Sequence, residues 1–418
     1  MLNERLIRDR TELVREALRA RHAGPDAERA LDMWLALDSQ RRALARRHDG
    51  LAREAASLRG NAEVTTTRAR VAETERRAAD EALLVVTAQQ RRLLMRLPNV
   101  PDERTPAGAR EAENVELTRW GKPRAFDFAP KRHDTLAVAL GLLDPPRAAR
   151  IAGSRFPLLV GVGARLQRAL VGLMLGMHTA RGYVEIAPPH LLRREALEGS
   201  GHLPRFEDEL YTLPRDDLSL SPTAEAQLVA LHAGETLDER QLPVAYTAAT
   251  PAFRREAGSA GSATRGLLRQ HQFEKVELVR IATPETSDAA FDALRADAEA
   301  VLRRLELPYR VVALCAGELP FSARRTHDLE VWMPAMDRYV EISSISDCGP
   351  FQARRLDLRY RPAGGGRSRH AHTLNGSALA VGRTIAALLE NGQRADGTVW
   401  LPEALHAAMG TAIIANRA

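Results

Sequence analysis

Between Leu31 and Leu97 apolar side chains return every seven residues. Leu37, Leu44, Leu51 and Leu58 form one series, and Val71, Ala78 and Val85 form another beyond Gly60-Asn61. A seven-residue spacing keeps side chains on one helical face. Glycine and proline are almost absent apart from Gly50 and Gly60, while alanine, leucine, arginine and glutamate dominate, so the stretch predicts two long helices. Folded back on each other they form an antiparallel hairpin with its tip near residues 60 to 66. At about 1.5 Å per residue each arm reaches roughly 40 Å, too far to share one compact core with the remainder. The hairpin therefore projects into solvent or onto a partner.

Proline punctuates the chain after the second helix. Pro98, Pro101 and Pro106 mark a linker, and a mixed segment runs to about residue 150. Beyond Ile151 short β-rich runs (Tyr183 to Ile186, Lys275 to Ile281, Tyr309 to Leu314, Leu329 to Trp332) mix with helical stretches at Asp288 to Leu305 and Leu379 to Asn391. Helices do not alternate regularly with these strands. The expected class is therefore α+β, with an antiparallel sheet flanked by helices and not a doubly wound parallel fold. The expected division is an N-terminal domain over 1–110, carrying the hairpin at about 31–97, and a second domain over 111–418.

Composition narrows the function. Lysine plus arginine exceed aspartate plus glutamate by 60 to 54 in 418 residues, giving a net charge of +6 and a pI near 9.7. The hairpin carries thirteen arginines against nine acidic residues. A polyanionic partner suits that balance, as would a solvated coiled coil used for dimerisation. Two distant cysteines, Cys315 and Cys348, offer neither a disulfide framework nor a thiolate metal site, which fits a reducing cytoplasm. The first ten residues lack the apolar stretch of a signal peptide, and no apolar run approaches the length that spans a bilayer. Histidines show no metal-ligand spacing such as HExxH, and no zinc is expected.

The stretch from Thr250 to Val279 holds the densest chemistry. Two strand-like runs joined by a glycine-rich loop carry Arg254, Arg255, Glu256, Arg269, Phe273 and Glu277. A flat aromatic beside fixed arginines suits a nucleotide, although an ordinary charged hairpin has the same composition. This stretch resembles the second signature motif of class II aminoacyl-tRNA synthetases in its seryl form. Gly182 to Pro189 resembles the first motif, which in that family lies at a dimer interface, and Leu374 to Asn391 resembles the third. Pro222-Thr-Ala-Glu225, Glu341-Ile-Ser-Ser344, Phe351-Gln-Ala-Arg-Arg355 and Asn375-Gly-Ser377 carry the likeness to seryl-tRNA synthetases in particular.

The resemblance implies serine activation by ATP, then transfer to tRNA(Ser), with tRNA(Sec) as a further acceptor. By resemblance Arg254 and Arg383 are the catalytic cations on the ATP phosphates, with Arg255, Glu256, Arg269, Phe273, Glu341, Ile342, Ser343 and Ser344 completing the ATP site. Thr223, Ala224, Glu225, Glu277, Asn375 and Ser377 line the serine pocket, and Glu341 and Ser344 hold Mg²⁺. The hairpin would grip the long variable arm of the tRNA, and the subunits would pair as a cytoplasmic homodimer. No side-chain nucleophile is required, because the substrate carboxylate and later a ribose hydroxyl attack; arginine and metal offset the anion repulsion. Pro320, Asp347, the Gly349-Pro350 pair and Ala378 depart from the family pattern near the active site. They keep open a specialised copy serving a biosynthetic or self-resistance pathway. A catalytically silent tRNA-binding regulator, or an enzyme that loads serine onto a carrier protein, fits the retained charged residues and the hairpin less well.

Overall fold

The computed structural model describes residues 1–57, 64–257 and 265–415, in two compact units, Met1–Val100 and Pro101–Ala418. The first unit opens with α1 (Glu4–Asp9) and α2 (Thr11–Ala20), followed by the long α3 (Gly24–Ser57) and α4 (Val64–Leu94). The hairpin turn, with Leu58, Gly60 and Asn61, lies outside the described residues. Helix α3 begins seven residues before the expected start at Leu31.

The seam of the hairpin follows Trp34, Leu37, Leu44, Leu51 and Ala55 on α3, as the heptad predicts. On α4 it runs one residue further along the chain than expected: Ala72, Ala79 and Val86 are buried, whereas Val71 and Val85 are 53% and 57% exposed and Ala78 is exposed as well. A seven-residue repeat fixes a period but not which of two adjacent stripes faces the partner. Alanine at 72 and 79 lets the helices approach closely, and the bulkier valines are left outside. At the hairpin's base the buried Asp38 takes two hydrogen bonds from Arg8, each 2.9 Å, and pairs with Arg41 and Arg42. Arg8, helped by its neighbours, holds the Asp38 carboxyl near 2, well below the usual range.

In the second unit, eight strands among the described residues form the main sheet. They are β1 (Val115–Trp120), β2 (Val184–Glu185), β3 (Val244–Phe253), β4 (Gln272–Ala282), β5 (Tyr309–Ala313), β6 (Arg325–Met333), β7 (Arg338–Gly349) and β8 (His372–Ala380). Their order is β1-β5-β6-β7-β8-β4-β3-β2, antiparallel throughout except that β2 runs parallel to β3. The expected antiparallel sheet is present. Helices α5 (Val162–Thr179), α6 (Ser287–Arg304) and α7 (Val381–Gly392) cover it, and Phe291, Leu294, Ala298, Val301 and Leu302 of α6 make the recurring apolar stripe that fuses helix to sheet. Helix α7 starts two residues after the expected Leu379, because β8 runs on through Ala380.

Within the sheet, β3 and β4 pair directly, Phe253 opposite Gln272 and Val244 opposite Ile281. Between β6 and β7 the register shifts next to Leu329: Ser344 lies opposite Asp328, and Glu341 opposite Glu330. A β-bulge at Ile342 thereby lets Glu341 and Ser344, an odd number of residues apart, share one face. Strict alternation would have sent them to opposite faces.

Candidate active site

Strand parity brings the charged residues together. Phe273, Lys275 and Glu277 alternate along β4 and share a face, and Arg254 follows the end of β3. Its guanidinium stacks 5.4 Å above the Phe273 ring centre, and its Nε donates to the Pro222 carbonyl at 3.2 Å. Glu256 and Arg269, on either side of the undescribed segment 258–264, form an ion pair.

Arg383, in the first turn of α7, reaches toward the same place. Its Nε donates to the Leu268 carbonyl at 3.1 Å, and Nη1 donates to the Glu341 carbonyl at 2.6 Å and sits 3.2 Å from a Glu341 carboxylate oxygen. Arg383 holds the Glu341 carboxyl below its ordinary range. The start of a twelve-residue helix adds aligned N–H groups to this positive end.

The segment behind Arg269 is anchored twice from α7. Two turns beyond Arg383, the buried Glu390 accepts the Nδ1–H of the equally buried His133 at 2.8 Å, and the Leu267 N–H donates to His133 Nε2 at 3.3 Å. Gly266 crosses this imidazole at φ +75, where a Cβ would sit 2.5 Å from Nε2, so only glycine fits.

Beside the arginines lies a smaller polar pocket. Thr223 caps the helix Ala224–Ala230 by accepting from the Glu225 N–H, at 3.2 Å. Its Oγ1 also receives Lys275 Nζ at 2.6 Å and gives its hydrogen to Glu277 Oε2 at 3.3 Å. Lys275 and Glu277 form an ion pair, and Glu277 Oε1 is buried with no hydrogen-bond partner. Glu225 accepts from Gln352 Nε2 at 2.7 Å, and the Thr373 hydroxyl, donating to Gln352 Oε1 at 2.7 Å, fixes that amide's orientation. Burial, reinforced by the Glu277 charge, pushes the Glu225 carboxyl up to about 7.

The arginines, Phe273, Glu341 and the Thr223, Glu225, Lys275 and Glu277 side chains face one cleft of about 580 Å³, and His133, Glu390, Gln352 and Thr373 are buried behind them. Of the residues singled out in the sequence, Thr223, Glu225, Arg254, Glu256, Arg269, Phe273, Glu277, Glu341, Ile342, Ser344, Asn375, Ser377 and Arg383 line it. Three do not. Arg255 points to solvent, Ala224 is buried in the helix start, and Ser343, on the opposite face from Ser344, gives its hydroxyl to the Ser377 carbonyl at 2.6 Å.

The family model for the tRNA synthetase class II core domain (G, H, P, S and T) matches residues 206–392. The serine–tRNA ligase of Nitratidesulfovibrio vulgaris is 47% identical over 98% of both chains, and that of Thermotoga neapolitana 46% identical over 97% of this chain and 98% of its own. Among solved structures, seryl-tRNA synthetase from Pyrococcus horikoshii complexed with ATP superposes with a TM-score of 0.96 at 33% identity, with both chains fully covered. The chain belongs to the seryl-tRNA synthetase family.

In and behind the cleft of this seryl-tRNA synthetase family member stand residues that sequence reasoning passed over, Lys275 in its wall and Gln352 and Asp328 buried behind it. Lys275 shares the parity of Phe273 and Glu277, a signal that was available. Gln352 sits inside the Phe351–Arg355 motif but has no visible target until the fold places it against Glu225. Asp328, 9% exposed, lies opposite Ser344 with its Oδ1 unpartnered, and nothing in its local sequence marks it. Of the departures from the family pattern, Pro320 lines the cleft. Asp347 is instead buried against Arg324, 2.7 Å from its Nη2, and Ala378 is fully buried in the core.

Proposed function

We propose that serine and ATP meet in this cleft, and that the seryl-adenylate formed there passes its acyl group to the 3′ end of tRNA(Ser). The chain is an aminoacyl-tRNA ligase, and serine–tRNA ligation is the activity its family membership gives it. The observation that carries the site assignment is the convergence of Arg254, Arg383, Phe273 and Glu341 on one cleft beside the Glu225/Glu277 pocket.

In this reading adenine stacks on Phe273, and Arg254 and Arg383 take up the charge that develops on the α-phosphate and the departing pyrophosphate. The serine ammonium meets the open Glu277 Oε1 and Glu225. Glu341 and Ser344 suit Mg²⁺, a hard cation that prefers oxygen; beside them Asp328 offers an unpartnered oxygen, its carboxyl raised well above the ordinary range by burial and by the Glu341 charge. Among the described residues no trio of metal-binding side chains stands close enough to hold an ion by itself. The ion would then take its remaining ligands from ATP phosphates and water, and it would supply charge neutralisation on the nucleotide. A housekeeping ligase is favoured over a specialised copy, since the acidic pocket is intact and Asp347 and Ala378 lie away from the cleft wall.

The hairpin at 31–97, with its excess of arginine, serves to bind the tRNA backbone. The family's homodimer and a cytoplasmic location complete the proposal. No helix among the described residues is long and apolar enough to cross a membrane.

The assignment is tested by amino-acid-dependent exchange of pyrophosphate into ATP. L-Serine should support it at least about 100-fold better than alanine, which leaves the hydroxyl-binding groups unpaired. Faster exchange with another amino acid would sink the substrate assignment.

Glu225 makes serine binding pH-dependent. With its carboxyl pushed up to about 7 by burial and the Glu277 charge, Glu225 must lose its proton before it can pair with an ammonium, so affinity rises as the pH goes up through 7. Serine should bind about tenfold more weakly at pH 6 than at pH 8, with proton release, as calorimetry in buffers of different ionisation heat would show. Glu225→Gln should flatten the profile. A flat profile in the unsubstituted enzyme would refute the role.

A further inference from the structure

One cation in the cleft wall has no part in the adenylation scheme so far. Lys275 is nearly buried, its side chain 9% exposed, between Glu277 and Thr223. An ordinary structural ion pair would satisfy both partners. Here Glu277 keeps a buried oxygen with no partner, while the Thr223 hydroxyl is fully used: it accepts from Lys275 and from the Glu225 N–H and donates to Glu277. The pocket therefore presents one carboxylate oxygen open to a donor, with an ammonium already fixed on the other.

The order of side chains along β4 adds a second, independent constraint. Alternate residues of a strand stand about 6.8 Å apart on one face. Phe273 marks the adenine end of the proposed ligand and Glu277 the ammonium end, so Lys275 lies midway, at the junction where the substrate carboxylate must meet the α-phosphate. Its register neighbours are Thr250 on β3 and Ala380 on β8, both short, so neither walls the ammonium off from the cleft. An amino acid carries its ammonium and carboxylate on a single carbon. With the ammonium on Glu277 Oε1, the adjoining carboxylate falls toward Lys275, and the two cations are kept apart by the anion between them.

We propose that Lys275 grips the carboxylate of serine and stays against it during adenylation. The inference rests on the assignment of serine activation to this cleft. In the step itself a carboxylate oxygen forms a bond to the α-phosphorus, and the bond from that phosphorus to the pyrophosphate oxygen breaks. No proton is transferred, and Lys275 remains an ammonium throughout, offsetting the repulsion between the two anions as they close.

Serinamide tests this, because it keeps the ammonium and hydroxyl of serine and replaces only the carboxylate. In the unsubstituted enzyme, calorimetry should show serine binding about 30-fold more tightly than serinamide, the size of one charged hydrogen bond. In Lys275→Met that preference should shrink to about threefold or less, while ATP affinity stays within about threefold and reports that the fold is intact. Lys275→Arg, which keeps the charge, should retain the preference, and it serves as the reference if the methionine variant loses ATP binding. In that case Lys275→Gln replaces methionine, with the same expectation. A preference for serine that survives in a neutral, ATP-binding variant overturns the proposal. Failure of the unsubstituted enzyme to bind serine at all would instead overturn the pocket assignment beneath it.

Discussion

Replacing Arg254 by alanine is expected to slow serine-dependent exchange of pyrophosphate into ATP by about 10³-fold, with the thermal midpoint of unfolding almost unchanged. The guanidinium is half-buried at the end of β3, held by the Pro222 carbonyl and by the face of Phe273. It is therefore oriented before ATP arrives, and a preorganised charge aimed at a developing anion contributes on the order of 3–4 kcal/mol to the transition state. Arg254→Lys should recover little, because a lysine ammonium can neither stack flat on the phenyl ring nor present two donors in a fixed plane. Arg383→Ala should behave alike and should also free the carbonyls of Leu268 and Glu341. A loss of less than tenfold in Arg254→Ala would remove this residue from the centre of the chemistry.

The second large effect concerns the hairpin. With residues 31–97 replaced by a short linker, serine-dependent exchange should persist within about threefold, while tRNA charging falls by about 10³-fold. The cause is electrostatic: neutralising several phosphates releases counterions, and each lost contact weakens binding and flattens its salt dependence. Charging by the intact enzyme should accordingly fall steeply between about 50 and 200 mM salt, and the residual charging of the truncated enzyme should be nearly insensitive to salt. Undiminished charging by the truncated enzyme would return the hairpin to the role of a solvated coiled coil.

Much of this architecture was legible because it depends on local periodicity. The heptads of α3 and α4 predicted the hairpin, the helical stretch at Asp288 to Leu305 predicted α6, and the strand-loop-strand run of β3 and β4 predicted their pairing. The errors have equally local causes. The stripe on α4 was misplaced by one residue, since side-chain size favours Val71 and Val85 while close helix approach favours Ala72 and Ala79. Arg255 and Ser343 were grouped with neighbours of opposite parity, a distinction visible only once strand direction and the bulge in β7 are known. Asp328, Gln352 and His133 depend on contacts across 16 to 257 positions of chain, between Asp328 and Ser344 at one extreme and between His133 and Glu390 at the other. No window of sequence contains both members of such pairs.

The extra residue at Ile342 makes the pairing of β7 as restrictive as its composition. If the full-length strand paired without the bulge, the glutamate would turn toward the helical layer and leave the hydroxyl alone above the nucleotide. Deleting Ile342 is the change that regular pleating absorbs, because the two oxygen donors are then an even number of residues apart and stay on one face. Loss of this residue is therefore expected to be tolerated better than its place beside the nucleotide suggests.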